Sequence, residues 1–173
     1  MKEFKIYHLF WKRQLWNDSI FKDFNGDCDY GLYQVYGDHP IYGSDTLLYI
    51  GKAAEETFSN RMRGHGDFDT YPYALTRIHF GYFCEIDDIN QQNWEDAISI
   101  VEPILIKSFM PPLNGTRVKS LLDSPDENIL VFNWGNAGRL FQEVSNLRSS
   151  VYYHDCEKYN FEGHILKDLS KKV

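Results

Sequence analysis

One stretch of the chain, residues 31–52, reads GLYQVYGDHPIYGSDTLLYIGK. Tyr30 to Tyr36 and Thr46 to Ile50 are rich in aromatic and aliphatic side chains, which is typical of strands. Asp38 to Asp45 lies between them and contains Gly, Pro and Asp, which favour turns. We therefore predict a two-stranded hairpin, with a Gly-Leu-Tyr triplet on its first strand and Tyr-Ile-Gly-Lys at the end of its second.

The segments after this hairpin continue an alternation of helices and strands. Ala53 to Arg63 has a helical composition and is followed by glycines, and Thr76 to Ile86 has the composition of a third strand. From Asn90 to Phe109, apolar residues recur at steps of three or four, which predicts a long helix. The order strand, strand, helix, strand, helix indicates an α+β core with helices on a small sheet.

The rest of the chain is less regular. Beyond the core we predict a helix over residues 10–24, a strand over 128–134, a helix over 137–147 and a strand over 151–154. A length of 173 residues suits one domain spanning 1–173. Within it we expect a core at 29–115, an N-terminal extension at 1–28 and a C-terminal extension at 116–173.

Charge is unevenly distributed along the chain. The net charge of −7 counts against a nucleic-acid partner at first sight. However, eight acidic residues and one basic residue lie between Asp67 and Glu102, whereas residues 103–119 hold three basic residues and no acidic one. The acidity is therefore local, and it does not exclude DNA.

The composition of the chain indicates its cellular compartment and whether it enters a membrane. No run of apolar residues approaches the roughly 18 to 20 that a membrane span requires. The three cysteines are odd in number and form no CxxC motif, so neither a disulfide framework nor a cysteine zinc site is indicated. We expect that the protein does not associate with a membrane and that it lies in the reducing cytoplasm.

The two tyrosines of the hairpin motifs are candidates for activating water. Tyr33 and Tyr49 would be neighbours if the two strands pair in register. A phenol can orient or deprotonate water when a cation lowers its pKa of about 10. Lys52 could supply that charge or take the proton itself. The alternative is a pair of core tyrosines, and the sequence leaves open which of the two is the base.

Arg61 and His65 lie four residues apart across the end of the predicted helix. A guanidinium makes bidentate contacts to phosphate, and an imidazole can polarise phosphate or assist proton transfer. The alternatives are a surface arginine and a loop histidine. Arg63, two residues after Arg61, is a competing candidate.

Glu102 is an acid within a run of aliphatic residues. A carboxylate in such surroundings needs a partner, and Mg²⁺ is a suitable one because it is often held by one carboxylate, waters and substrate oxygens. The alternative is a salt bridge to Lys107 or Arg61, and Glu95 is a rival ligand. Asn114 follows two prolines, where it could simply form a turn.

The order of these motifs resembles that of the GIY-YIG nuclease family. That family has a GIY-like strand, a YIG strand, an Arg in the next helix, a His or Tyr four residues later, a Glu in a later helix and an Asn after a Pro. Here the YIG triplet is intact, the first triplet is GLY, and the segments ending in Arg61 and Asn114 match the pattern. The resemblance covers roughly residues 29–115.

The resemblance implies a three-stranded antiparallel sheet flanked by helices and a standalone endonuclease, of restriction or mobile-element type, that hydrolyses DNA. It implies Mg²⁺ or Mn²⁺ on Glu102, and it makes Asn114 an active-site hydrogen-bonding residue. RNA is an alternative substrate, and a homodimer is one expected state. The implied site consists of Tyr33, Tyr49, Lys52, Arg61, His65, Glu102 and Asn114. The alternative function is that of an inactive module that binds nucleic acid or a protein partner.

Overall fold

The computed structural model describes residues 4–16, 29–64, 74–84, 91–115 and 128–149. These ranges contain six strands: β1 (Phe4–Leu15), β2 (Gly31–His39), β3 (Gly43–Ala53), β4 (Leu75–Cys84), β5 (Asn128–Gly135) and β6 (Glu143–Ser145). They also contain the helices α1 (Phe58–Gly64) and α2 (Gln91–Phe109), and short 3-10 turns at Pro112–Asn114 and Asn146–Ser149. Neither described helix is long and apolar enough to cross a membrane.

All six strands belong to one mixed sheet, in the order β3-β2-β4-β1-β5-β6. Neighbouring strands are antiparallel except for β1 and β5, which are parallel. The expected three-stranded antiparallel sheet flanked by helices is therefore wrong. The three expected strands form only half of the sheet, and segments assigned to the two extensions supply the other half.

The largest correction concerns the N-terminal segment, where residues 10–15 belong to a strand and not to the helix predicted over 10–24. Buried Tyr7, Leu9 and Trp11 alternate with more exposed neighbours along β1, which is the period of a strand. The backbone N–H of Trp16 still donates to the carbonyl of Thr76, which extends the ladder to β4. Pairing on both sides of β1 therefore makes residues 10–15 a strand, whereas residues 17–24 of the predicted helix lie outside the described residues.

A second correction concerns the segment after β5, where a helix over residues 137–147 was predicted. Gly135 and Gly138 adopt positive φ values of 70° and 65°, which turn the chain back. β6 then pairs with β5, so the predicted helix is wrong, while the strand predicted over 128–134 is confirmed. The strand predicted over 151–154 lies outside the described residues.

The remaining core predictions hold, with shifted boundaries. The long helix is confirmed as α2, and the third strand as β4. α1 begins only at Phe58, because β3 continues to Ala53. The hairpin strands are longer than predicted, because His39 Nδ1 accepts hydrogen bonds of 3.2 Å from two backbone N–H groups and stabilises a tight turn.

The two faces of the sheet carry separate apolar clusters. One face, here called the α2 face, packs residues such as Leu9, Leu32 and Ile50 in a cluster with the buried side of α2. The opposite face, here called the α1 face, carries Tyr33, Val35, Ala53, Ile78 and Phe80 in a cluster with Phe58 and Met62 of α1. Side chains alternate between these faces along each strand, which decides what each residue of the hairpin motifs can contact.

Candidate active site

Four consecutive residues at the end of β3, Tyr49-Ile50-Gly51-Lys52, point alternately to the two faces. Tyr33 of β2 is the register partner of Gly51, so Tyr49 and Gly51 share the α1 face with it. Leu32, a member of the α2-face cluster, is the partner of Lys52. The side chains of these four residues therefore extend from both faces of the sheet.

Tyr33 and Tyr49 are neighbours on the α1 face. Their ring centroids are 5.9 Å apart, and the two residues are diagonal and not directly opposite, because Tyr49 pairs with Val35. Gly51 makes this approach possible: a Cβ at this position would lie 2.5 Å from both Tyr33 Oη and Tyr49 Cε1. The glycine of the motif is therefore required by the packing of the two tyrosines.

The environment of Tyr33 keeps its hydroxyl protonated. Burial raises the pKa of Tyr33 far above its ordinary value, and the adjacent Tyr49 raises it further. A hydrogen bond from Arg61 opposes this, but it has a smaller effect. Tyr33 is thus suited to donate a hydrogen bond and not to act as a base, whereas Tyr49 is only half-buried and can meet water.

Arg61 of α1 joins the tyrosine pair. Its guanidinium donates a hydrogen bond to Tyr33, and Nη1 lies 3.1 Å from Glu56 Oε1. The side chains of Arg61 and Glu56 are 39% and 40% exposed, so their ion pair is weak and can exchange for another anion. Arg61 Nε is buried and has no hydrogen-bond partner in the described part of the chain, which leaves a donor available to a ligand.

Lys52 and Glu102 belong to the other side of β3. Lys52 Nζ donates to Ser99 Oγ of α2 at 3.1 Å, which anchors the lysine on the α2 face. Glu102 follows Ser99 by three residues, so both lie on the same side of α2. Glu102 is 3% exposed and is the only acidic side chain among the buried residues described. The structure thus groups Tyr33, Tyr49 and Arg61, and separately places Lys52 beside the helix that carries Glu102.

Asn114 fixes the centre of the motif. Its Nδ2 donates to the carbonyl of Ile50 at 2.8 Å, and its Oδ1 accepts from the N–H of Ile50 at 2.9 Å. β3 is an edge strand, so this side chain pairs with backbone groups that would otherwise have no strand partner. Both polar groups of the amide are engaged with the backbone, which makes Asn114 a positioning residue that ties the segment after α2 to β3.

We expect Asn114→Ala to lower the free energy of unfolding by about 1 to 3 kcal/mol, because it leaves two buried backbone groups of Ile50 unpaired. Urea denaturation monitored by circular dichroism measures this change. Asn114→Asp keeps the acceptor but sets a buried carboxylate oxygen against the carbonyl of Ile50, so we expect a loss at least as large as that of Asn114→Ala. A stability equal to that of the wild type in Asn114→Ala would contradict this role.

His65 lies outside the described residues. Among the residues that the structure does describe, no group of three or more His, Cys, Asp or Glu side chains could hold a metal ion. Glu102 is thus the protein ligand to consider, and a single carboxylate completed by waters and substrate oxygens is an ordinary donor set for Mg²⁺.

Comparison with known proteins gives no match: no family model, no curated protein and no solved structure is similar to the chain. The resemblance to the GIY-YIG family therefore depends on the order of the motifs in the sequence alone.

Two residues of the site were missed by the sequence analysis. Glu56 pairs with Arg61 and precedes it by five residues, in a turn for which no local pattern predicts a contact. Ser99 Oγ accepts a hydrogen bond from Lys52 Nζ. In the sequence, only the spacing of three residues between Ser99 and Glu102 relates Ser99 to the site. Both contacts depend on tertiary packing, of α1 on one face and α2 on the other.

Proposed function

We propose that the chain is a divalent-metal-dependent endonuclease of the GIY-YIG type that hydrolyses DNA phosphodiester bonds. One observation carries the proposal: four consecutive residues of β3 contact Tyr33, Asn114 and the helix of Glu102, while Tyr33 in turn contacts Arg61. Residues that are distant in sequence and belong to one motif pattern thus lie on the two faces of a single strand end.

Arg61 is the residue that we propose to bind the scissile phosphate. Its unpartnered Nε and the exchangeable pair with Glu56 provide a fixed charge and donors for an incoming anion. Tyr33, held in the protonated state, orients the guanidinium. Half-buried Tyr49 stands beside it and is placed to orient the attacking water through its hydroxyl.

Glu102 is the proposed ligand of Mg²⁺ or Mn²⁺, which would supply positive charge to the transition state and a more acidic water. Lys52 lies on the same side of β3 and adds a positive charge, suited to stabilise the leaving oxygen. Because β3 is at the edge of the sheet, a phosphate at this edge can approach side chains of both faces. This arrangement requires the buried carboxylate of Glu102 to face the edge formed by β3, so that its metal reaches the phosphate.

The proposal includes DNA as the substrate, with RNA as the alternative, in a cytoplasmic enzyme that acts alone or as a homodimer. A second function, that of an inactive module binding nucleic acid or a protein partner, is favoured by one observation. Lys52 and Ser99 lie on the α2 face, whereas the tyrosine pair lies on the α1 face. A binding module can function with these residues on two faces of the sheet. A nuclease can use both groups only if its substrate binds at the edge of the sheet.

Incubation of the purified protein with supercoiled plasmid in Mg²⁺, in Mn²⁺ and in EDTA tests the proposal. We expect nicked or linear DNA with either metal and none with EDTA. Agarose gels measure the products, and a gel-shift assay in EDTA measures binding without cutting. DNA binding with no cutting in either metal would support the binding module instead.

A further inference from the structure

A second concave site lies on the α2 face, between β1, β4, β5 and the segment that follows β5. Its volume is about 570 Å³, within the range of small-molecule sites, which is roughly 300 to 1,000 Å³. Polar and charged side chains dominate its walls: Arg13, Arg77, His79, Asn133, Asn136 and Gln142. We call this site the cationic cleft. It opens on the face opposite to the Tyr33–Arg61 cluster.

Arg77 is held rigidly in the wall of the cationic cleft. Its Nε donates to His79 Nε2 at 3.0 Å, and its guanidinium lies 4.0 Å from the ring centroid of Tyr36. Asp45 forms an ion pair with it. His79 Nδ1 is 2.5 Å from the carbonyl of Asn136, so that nitrogen carries the proton and Nε2 is the acceptor. A guanidinium fixed by three neighbours is pre-organised to contact the oxygens of an anion such as phosphate.

Positive charge exceeds negative charge at the cationic cleft. Besides burial, the nearby charges of Arg13 and Arg139 lower the pKa of Arg77. Arg13 and Arg139 are exposed and form no ion pair with other described residues, so Asp45 is the one described carboxylate that pairs with this group. Three guanidinium groups that share one carboxylate repel one another, and a bound anion would remove that repulsion.

We propose that the cationic cleft binds a phosphate group, either inorganic phosphate or the phosphate of a nucleotide, with Arg77 as the anchor and Arg13 and Arg139 as flanking contacts. Guanidinium groups match phosphate oxygens in a fork geometry, and the volume also accommodates the nucleoside of a mononucleotide. The proposal goes beyond nuclease activity, since no residue that lines the cationic cleft belongs to the proposed nuclease site, and phosphate binding there needs no metal.

Isothermal titration calorimetry in EDTA tests the proposal with three probes: inorganic phosphate, adenosine 5′-monophosphate and adenosine. We expect the two phosphate probes to bind and adenosine to bind much more weakly or not at all. Tighter binding of the monophosphate than of inorganic phosphate would identify a nucleotide as the source of the phosphate, and the reverse would identify the free ion. Adenosine bound as tightly as its monophosphate would overturn the proposal, as would the absence of binding by both phosphate probes.

Single substitutions locate the site. We expect Arg77→Gln to lower the affinity for the tighter-binding phosphate probe by about tenfold or more. Arg13→Gln or Arg139→Gln should lower it by several-fold. Lys12→Gln is the matched control, because it removes the same charge from the neighbouring residue of β1, whose side chain lies over Tyr82 on the α1 face. If Arg77→Gln does not fold, the affinities of Arg13→Gln and Arg139→Gln test the assignment. Wild-type affinity in both of them, or an equal loss in Lys12→Gln, would overturn the assignment.

Discussion

Arg61→Gln is expected to slow metal-dependent plasmid nicking by about 100- to 1,000-fold, because a lost charge-stabilising donor costs about that much in other enzymes. The guanidinium of Arg61 contacts Tyr33, and its Nε has no hydrogen-bond partner among the described residues. Its ion pair with Glu56 is about 40% exposed and contributes roughly 0 to 1 kcal/mol. The variant should still fold, with a thermal midpoint lowered by the loss of the hydrogen bond to buried Tyr33.

Arg63→Gln provides the matched control for this prediction. Arg63 is exposed, lies two residues further along α1, and loses the same charge on substitution. We expect it to nick plasmid at close to the wild-type rate. An equal loss in both variants would mean that only the overall charge of α1 matters, and wild-type activity in Arg61→Gln would remove the arginine from the site.

Gly51→Ala is expected to affect both stability and activity. The added Cβ would lie 2.5 Å from both Tyr33 Oη and Tyr49 Cε1, and Tyr33 is fully buried and cannot move aside. Overpacking of this kind costs about 1 to 3 kcal/mol of unfolding free energy. Because the substitution separates the two tyrosines, we also expect plasmid nicking to fall about tenfold or more.

Gly115→Ala separates this effect from a general cost of adding a methyl group. Within the part of the chain that the structure describes, a Cβ at Gly115 meets nothing within 4 Å, and the φ of −49° suits any residue. Urea denaturation and nicking assays on both variants give the comparison. Equal stability of Gly51→Ala and the wild type would show that the tyrosines do not pack on this glycine.

Local patterns predicted the parts of the fold that depend on neighbouring residues. The hairpin and α2 are defined by composition and periodicity within each segment, and both were found. The six-stranded sheet was missed because its pairings are distant: Phe4 of β1 pairs with Asn128 of β5, and Leu15 with Arg77 of β4. No local pattern encodes such partners, and the apolar residues near the N-terminus also fit a helical spacing.

The candidate site was predictable to a similar degree. The sequence identified Tyr33, Tyr49 and Arg61, and the structure brings them together, but their catalytic role stays a prediction. The position of Lys52 on the opposite face from Tyr49 follows from strand alternation and could have been foreseen. The paired contacts of Asn114 with Ile50 could not, because they require the chain after α2 to return to the edge of β3.

The nicking rate of supercoiled plasmid in Mg²⁺, compared between the wild type and Glu102→Gln, tests the nuclease proposal most directly. The substitution removes one buried charge without changing the shape of the side chain, and Glu95→Gln on the same helix is the matched control. We expect nicking by the wild type and by Glu95→Gln, and at least about 100-fold slower nicking by Glu102→Gln, whose folded state is checked by circular dichroism. Equal rates in the wild type and Glu102→Gln, or no metal-dependent nicking by the wild type, would contradict the proposal.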